Sequence, residues 1–112
     1  MPKVRTIGAL LKAFRQMNSL TVDDIAKTAR LSNSTITKLE RYSHTNDESG
    51  LSQNLASLNS CGRIAECMQM ELSEFFSFVE KIEQASEDEF NFVVYFELSK
   101  YLLDRQRINK NS

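Results

Sequence analysis

The sequence has few of the residues that make tight turns. Among its 112 residues are three glycines and one proline, and that proline is residue 2. An all-β domain of this length needs many turns, and turns depend heavily on glycine and proline. Hydrophobic residues make up 41% and charged residues 26% of the chain, as is usual for a folded protein. The composition therefore predicts a single, mostly helical globular domain.

Long apolar runs and clusters of metal ligands are also missing. No apolar run approaches the roughly 18 residues of a membrane span, and residues 1–5 lead into no apolar signal core. A soluble, cytoplasmic protein is therefore expected. The two cysteines, Cys61 and Cys67, are six residues apart and have no second pair, and the single histidine is His44. Zinc motifs space their ligands differently, so we expect no metal or other cofactor. We interpret His44 as a loop residue.

Charge is distributed unevenly along the chain. Residues 1–44 contain eight basic and three acidic residues, a net charge of +5, whereas residues 45–112 have a net charge of −6. A basic segment of this kind favours a polyanionic partner. Chance scatter in a short chain would give the same asymmetry, so charge alone does not decide the partner.

Apolar residues recur at helical spacing in three N-terminal segments, 4–18, 21–29 and 33–41. Thr21 and Ser32 are N-cap residue types, and Asp24 stands three residues after Thr21, as in a capping box. Residues 42–50 are polar and without periodicity, which indicates a loop. Short helices on both sides of a tight turn at 30–32 are therefore predicted, which is the layout of a helix-turn-helix.

Three further segments show helical spacing. One begins at Leu51 and continues through Leu55 and Leu58 towards Met68, and another covers about 72–84. Residues 90–96 are ambiguous, because aromatic and β-branched residues favour a strand. Ser86 with Glu89 resembles a capping box, and the apolar spacing continues to a basic end, so a long helix is preferred over a strand.

Two blocks of the sequence resemble the lambda-repressor/Cro family of DNA-binding regulators, the xenobiotic-response-element type. Residues 22–41, VDDIAKTARLSNSTITKLER, look like its helix-turn-helix, and residues 63–76, RIAECMQMELSEFF, resemble its fourth helix and the start of its fifth. The resemblance implies an all-α fold, with a five-helix DNA-binding domain over 1–84. Residues 85–112 would then form an additional C-terminal helix.

The resemblance also implies roles for individual residues in binding double-stranded DNA. Helix 33–41 would enter the major groove, where Asn33, Ser34 and Lys38 would face the bases. Thr37, also counted among the base-reading residues, would lie near the base edges or the backbone. Arg15 and Glu40 match a structural ion pair of the family. The DNA backbone would be contacted by Val22 through its N–H and by the residues Ser32, Arg41, Lys12 and Lys27. Lys3 and Arg5 are further candidates for phosphate contacts.

Three features depart from the family pattern. Arg30 occupies the turn position that is usually glycine, so a left-handed backbone is expected there at some cost. The loop after Glu40 is about ten residues longer than is typical of the family. Residues 86–107 have no counterpart in the minimal domain.

The C-terminal segment is apolar around most of its circumference and must be buried somewhere. A homodimer interface is the preferred interpretation, and packing back onto its own domain is the alternative. The residues expected at that interface are Phe90, Val93, Val94, Tyr95, Leu98, Tyr101 and Leu102.

The sequence-based hypothesis for function is a DNA-binding transcriptional regulator, in particular a dimeric repressor that occupies an operator. The alternative is a protein-interaction module, such as an antitoxin or adaptor with the same fold, which the acidic, aromatic C-terminal half favours. An enzyme is not expected, because no nucleophile, base and oxyanion donor are grouped and no glycine-rich phosphate loop is present. No small-molecule ligand is evident.

Overall fold

Six α-helices make up most of the computed structural model, which describes residues 2–43 and 50–110 without the side chains of 107–110. A short 3-10 helix, Leu51–Gln53, precedes the fourth of them, and Lys3 forms an isolated antiparallel β-bridge with Leu55. No helix in this described part is long and apolar enough to cross a membrane. The helices are α1 Val4–Met17, α2 Val22–Ala29, α3 Asn33–Arg41, α4 Leu58–Cys67, α5 Leu72–Glu83 and α6 Phe90–Lys110.

Polar caps fix where α2 and α3 begin, as predicted. The Thr21 hydroxyl accepts a hydrogen bond from the Asp24 N–H at 3.1 Å, and the Asp24 carboxylate accepts one from the Thr21 N–H at 2.9 Å. This is a complete capping box. The Ser32 hydroxyl likewise accepts a hydrogen bond from the Thr35 N–H at 3.1 Å. Both helix starts are therefore confirmed.

Three helices end with the same backbone motif. In each, a residue with positive φ follows the last turn, and the next, apolar residue donates its N–H to a carbonyl five residues back, which is the Schellman closure. Ser19 is the left-handed residue after α1, and the Leu20 N–H donates to the Arg15 carbonyl at 2.8 Å. Arg30 follows α2, and the Leu31 N–H donates to the Ala26 carbonyl at 3.0 Å. Gln69 follows α4, and the Met70 N–H donates to the Ala65 carbonyl at 2.9 Å.

Helix α1 lies at the centre of the fold, against α3, α5 and α6. Its residues Ile7, Leu10 and Leu11 are fully buried. Gly8 lies where the backbone of α3 passes closest, because a Cβ atom at this position would overlap the carbonyl oxygen of Leu39. The absence of a side chain at Gly8 therefore sets how closely α1 and α3 approach.

The continuous helix expected from Leu51 is not formed. The chain between the 3-10 helix and α4 is extended, because Asn54 accepts a hydrogen bond from the Val4 N–H at 2.7 Å and the Ala56 N–H donates to Pro2 at 2.8 Å. These bonds hold the segment against the N-terminus, and Leu55 and Leu58 are left exposed. The prediction that Leu51, Leu55 and Leu58 form the inner stripe of one helix was wrong.

The segment 90–110 is a helix, as preferred, and it begins at Phe90 rather than at Ser86. It packs on α1 and α5, and its inner side completes the core that the other helices form. Phe90, Val94 and Leu98 are buried in this core, which corrects their assignment to a dimer interface. The reason is that this side of α6 packs on α1 and α5 and joins their hydrophobic core.

The other residues expected at a dimer interface are also used within the chain. Val93, Tyr101 and Leu102 are half-buried and pack against the core. Tyr95 is exposed, and its hydroxyl donates a hydrogen bond to the Gln16 side chain at 2.8 Å. Packing back onto the same domain, which was the alternative, is therefore what the structure shows for this side of α6.

A cluster of polar contacts fastens α6 to the end of α4. The Tyr101 hydroxyl lies 3.2 Å from the carbonyl oxygen of Met68 and 3.3 Å from that of Gln69, and donates to this pair. Arg105 donates to the Tyr101 oxygen at 3.1 Å and to the Gln69 side chain at 3.0 Å. These contacts satisfy carbonyls that the last turn of α4 leaves without helical partners.

The two cysteines are free thiols within the core, as their apolar surroundings predicted. Burial raises the pKa of both Cys61 and Cys67. The interpretation of His44 as a loop residue concerns a position outside the described residues.

Candidate nucleic-acid interface

Helices α2 and α3 are joined by a short turn that is held in place from α4. Arg30 has φ of 57° and ψ of 43°, so the left-handed conformation expected at this position is confirmed. Arg63 donates a hydrogen bond to the Arg30 carbonyl at 2.8 Å, and the Arg30 side chain forms an ion pair with Glu66 at 2.9 Å. Contacts from α4 therefore stabilise a conformation that a non-glycine residue adopts at a cost.

Helix α3 has an anchored side and an open side. Ile36 is fully buried and Leu39 packs against the core from the same helix. The predicted base-reading residues Asn33, Ser34, Thr37 and Lys38 are all exposed. The helix thus presents a polar surface to solvent while its apolar side fixes its orientation.

An ion pair fixes the C-terminal half of α3 to α1. The Arg15 guanidinium donates two hydrogen bonds to the Glu40 carboxylate, at 2.8 and 2.9 Å. The hydrogen bonds that Arg15 donates to Glu40 raise the pKa of Arg15. Both side chains are partly shielded from solvent. A bidentate pair between arginine and a carboxylate is stronger than hydrogen bonds between neutral groups. The two residues expected to form a structural pair are therefore brought together.

The predicted backbone-contacting cations fall into two groups. Arg41 and Lys12, like the predicted base-reading residue Lys38, form no ion pair with any residue that the structure describes, and Lys12 is half-buried. Lys27 is paired with Asp23 at 3.1 Å on the exposed side of α2. The first group has free charge for a polyanion, whereas Lys27 must share its charge with a carboxylate.

Two other candidates for phosphate contacts are occupied elsewhere. Arg5 is buried, donates to Glu87 at 2.6 Å and lies 4.0 Å above the Phe90 ring. Lys3 donates to the Gln53 side chain at 3.1 Å. The phosphate role expected for Arg5 was therefore wrong, because this guanidinium fastens α1 to the start of α6.

An acidic residue lies beside the open side of α3. The Asn33 amide donates a long hydrogen bond to Asp23 at 3.4 Å. Hydrogen bonds from Lys27 and then Asn33 lower the pKa of Asp23. Val22, half-buried at the start of α2, is followed directly by Asp23 and Asp24. This placement weakens the case for a phosphate contact at the Val22 N–H.

Ser32 has a structural task in the same region. Its hydroxyl caps α3 and lies 2.8 Å from the Thr35 hydroxyl and 3.2 Å from that of Ser34. A phosphate contact from Ser32 would have to share this hydroxyl with the cap.

An open cleft of about 350 Å³ separates α3 from the start of α4, and sequence reasoning missed it. Thr35 and Lys38 line one wall, and Ser57 and Ser60 line the other. The Ser57 hydroxyl caps α4 by accepting a hydrogen bond from the Ser60 N–H at 3.1 Å. Ser57, an N-cap residue type three residues before Ser60, is the sequence signal for this helix start. The expectation of one continuous helix from Leu51 hid that signal.

Comparisons of the chain with protein-family models, curated protein sequences and solved structures return no match.

Proposed function

We propose that the protein is a sequence-specific DNA-binding regulator of transcription, of the repressor kind, with α3 as the element that enters the major groove. The observation that carries the proposal is the exposed polar row Asn33, Ser34, Thr37 and Lys38 on a helix whose other side is anchored by Ile36. A base-reading helix needs both properties, because its side chains must reach the base edges from a fixed position.

The chemistry of the row suits base edges. Asn33 can pair bidentately with adenine, and Lys38 can donate to the acceptors of guanine. Ser34 and Thr37 are less discriminating, because a hydroxyl both donates and accepts. The resemblance of residues 22–41 to the lambda-repressor/Cro helix-turn-helix supports the same orientation of α3, with a five-helix domain of that type around it.

The charges around α3 suit a duplex. Arg41 and Lys38 are exposed without ion-pair partners in the described residues, and Lys12 contributes a further unpaired cation from α1. The start of α4 lies across the cleft from Lys38, and the N-terminal end of a helix favours negatively charged groups such as phosphate. Phosphate contacts of this kind would fix the register of α3 on the DNA.

The proposal is tested by selecting bound sequences from a random duplex library with the purified protein. A DNA-reading protein returns a defined site, and Asn33→Ala or Lys38→Ala then weakens binding by about 1–3 kcal/mol at one base position. Lys12→Ala weakens binding to all sequences about equally, because a phosphate contact carries no sequence information.

Lys81→Ala is the matched control for charge, since Lys81 is an exposed lysine on α5. It should leave the selected site and its affinity unchanged. Recovery of no enriched sequence at low salt, with the wild-type fold intact by circular dichroism, would contradict the proposal.

A protein-interaction module remains the second candidate, and the exposed aromatic residues Phe92 and Phe96 on α6 favour it. The combined variant Asn33→Ala, Ser34→Ala and Lys38→Ala separates the two candidates. A regulator that reads DNA loses its site in this variant. A module that acts through other surfaces keeps its protein partner when it is co-purified from its host.

A further inference from the structure

The extended segment between the 3-10 helix and α4 has a second backbone edge that its own domain does not pair. Lys3 and Leu55 face each other in the antiparallel β-bridge, but the two hydrogen bonds of the bridge are made by their sequence neighbours. In an antiparallel pair of this kind, the N–H and C=O groups of Leu55 point away from Lys3. Neither group has a hydrogen-bond partner among the described residues.

The unpaired edge continues on both sides of Leu55. The Gln53 carbonyl oxygen and the Ser57 N–H likewise have no hydrogen-bond partner in the part of the chain that the structure describes. Gln53, Leu55 and Ser57 are all exposed. Unbonded donors and acceptors along an extended chain are a template for pairing with another strand. We call residues 53–57 the edge segment.

An apolar cleft beside the edge segment has room for side chains of such a strand. It is the cleft of about 350 Å³ between α3 and the start of α4, and Val4, Leu39, Leu55 and Ala56 are among its lining residues. Leu55 is 62% exposed, and Leu58 is also exposed. A concave apolar surface next to unpaired backbone groups suits an extended peptide, whose side chains need a pocket and whose backbone needs partners.

Charge favours an acidic partner. Of the described residues that line the cleft, only Lys38 is charged. Lys3 lies at the edge segment itself, where its ammonium group donates to the Gln53 side chain at 3.1 Å. Neither lysine forms an ion pair with a residue that the structure describes. A carboxylate of the partner would therefore meet cations that are not already neutralised.

The backbone chemistry favours a polypeptide over a nucleic acid. Phosphate groups would satisfy the two lysines, but they only accept hydrogen bonds, whereas the edge segment presents the carbonyl oxygens of Gln53 and Leu55 as well as N–H donors. A peptide backbone supplies one donor and one acceptor at each residue other than proline.

We propose that the edge segment and its cleft form a docking site for an extended, acidic segment of another protein. The docked segment adds a β-strand at Leu55, places an apolar side chain in the cleft and brings a carboxylate to Lys38. Main-chain hydrogen bonds give affinity in this mode of recognition, and the pocket for a side chain gives specificity. Lys38 also belongs to the surface proposed for DNA, but docking at Leu55 does not depend on the reading of DNA.

Random linear peptides displayed on phage, selected on the full chain without DNA, supply the probe. Enriched peptides should alternate apolar with polar residues and contain an acidic residue, because one side of an added strand faces the cleft. The enriched peptide is then synthesised with a fluorescent label, and anisotropy measures its affinity for the wild-type chain and for each variant.

Leu55→Pro tests the main-chain pairing. Proline removes the N–H of position 55 without breaking a described hydrogen bond, and Asn54 already has ψ of 152°, which a residue before proline favours. Leu55→Pro should weaken binding about tenfold more than Leu55→Ala, which keeps the N–H. Leu103→Ala alters a leucine on α6 that is also 62% exposed and should leave binding unchanged. Circular dichroism verifies that the variants fold.

N-methylation of the synthetic peptide tests the same pairing on unaltered protein. Successive N–H groups of an added strand point to opposite sides, so methylation should weaken binding about tenfold at alternate positions and have little effect between them.

The carboxylate contact is tested by a double-mutant cycle. Lys38→Gln and replacement of the acidic residue of the peptide by its amide should each weaken binding, and the two together should weaken it no more than either alone. Lys81→Gln, on α5, is the matched control and should have no effect.

Recovery of no enriched peptide, or of one whose binding is insensitive to both Leu55→Pro and N-methylation, would overturn the proposal. A dimer in sedimentation equilibrium that Leu55→Pro abolishes would assign the edge segment to a second copy of the chain. A DNA oligonucleotide that displaces no peptide and loses its own binding in Leu55→Pro would assign it to nucleic acid. Either result would overturn the stated partner. Leu55 takes no part in the proposed reading of DNA, so failure of one proposal leaves the other standing.

Discussion

Three helices end on residues whose backbone lies in the left-handed region, and none of these residues is glycine. Ser19, Arg30 and Gln69 have φ between 54° and 60°. Such conformations cost a non-glycine residue about 1–2 kcal/mol. The scarcity of glycine therefore does not reflect a scarcity of tight helix ends. The helix ends are specified by the apolar residue that follows each of these positions.

Ser19→Gly should stabilise the protein. Ser19 is exposed with φ of 54°, and glycine adopts this conformation without steric cost. Glycine also loses more chain entropy on folding, so the net gain expected is about 0.5–1 kcal/mol. Urea unfolding followed by circular dichroism measures it. Ser19→Ala is the control and should not show the gain, since alanine retains a Cβ atom.

Gly8→Ala should have the opposite effect, although alanine is the better helix former by about 1 kcal/mol. A Cβ atom at position 8 overlaps the carbonyl oxygen of Leu39, so α3 must move away from α1. Overpacking of this kind costs about 1–3 kcal/mol. Gly62→Ala is the matched control, because a Cβ atom there meets nothing within 4 Å and the change should stabilise α4. A Gly8→Ala protein as stable as the wild type would contradict the described packing.

Asp23→Asn should strengthen DNA binding a few-fold. The change removes a negative charge beside Asn33 and frees Lys27 from its ion pair. Both effects favour a nearby phosphate backbone. Fluorescence anisotropy on the selected site at fixed salt measures the gain. Weaker binding by Asp23→Asn would instead show that Asp23 positions Asn33 for its base.

At the scale of whole elements, α6 has a buried inner side and an exposed outer side. Its inner side supplies Phe90, Val94 and Leu98 to the core, and Tyr101 closes the end of α4. Phe92, Phe96 and Leu103 on its outer side are exposed. The sequence suggests that α6 is an addition to a five-helix domain, but its inner side forms part of the core of the preceding helices.

Deletion of residues 90–112 should abolish cooperative unfolding. Burial of a large apolar side chain contributes about 1.5–3 kcal/mol, so the three buried residues of α6 together approach the total stability of a small domain. A thermal melt followed by circular dichroism tests this. Deletion of residues 106–112 is the control and should retain a native melt, because Tyr101 and Arg105 remain. A cooperative melt without α6 would show that residues 1–89 fold alone.

Local chemistry explains which elements the sequence predicted well. The starts of α2 and α3 were predicted correctly because the capping hydrogen bonds of Thr21, Asp24 and Ser32 join residues that are close in the sequence. The interrupted helix after Leu51 was missed because its cause is distant, namely backbone bonds to Pro2 and Val4. Periodicity gives the spacing of apolar residues but does not say which side of a helix meets the core.

The same distinction applies to the candidate site. The exposure of Asn33 and Lys38 could be predicted, because Ile36 and Leu39 define the opposite side of a short helix. The cleft between Lys38 and Ser57 could not, because it depends on how α4 is placed relative to α3. The burial of Arg5 was also missed, since its partner Glu87 is 82 residues away.

At the scale of the whole molecule, basic and acidic residues are concentrated in different parts of the chain. The net charge is −1, yet the first 44 residues have a net charge of +5. Lys12, Lys38 and Arg41 belong to this basic part and have no ion-pair partner among the residues that the structure describes. A small net charge is thus compatible with a basic surface for a polyanion.

The salt dependence of DNA binding should report how many of these cations contact phosphates. Each contact contributes about −0.9 to the slope of log K against log salt concentration. Replacing Lys12, Lys38 and Arg41 by alanine should therefore make the slope shallower by about 0.9 for each residue that contacts a phosphate. Titrations at several salt concentrations measure it. An unchanged slope in the triple variant would remove these residues from the DNA interface.

The two buried thiols give the molecule its own reporters of local opening. Cys61 and Cys67 are the chain's two cysteines, and both lie on α4 with pKa values raised by burial. A thiol reagent can modify them when α4 separates from its neighbours, so the rate of modification measures the frequency of that event. Labelling followed by mass spectrometry would follow the breathing of the helix that supports the Arg30 turn, without any introduced probe.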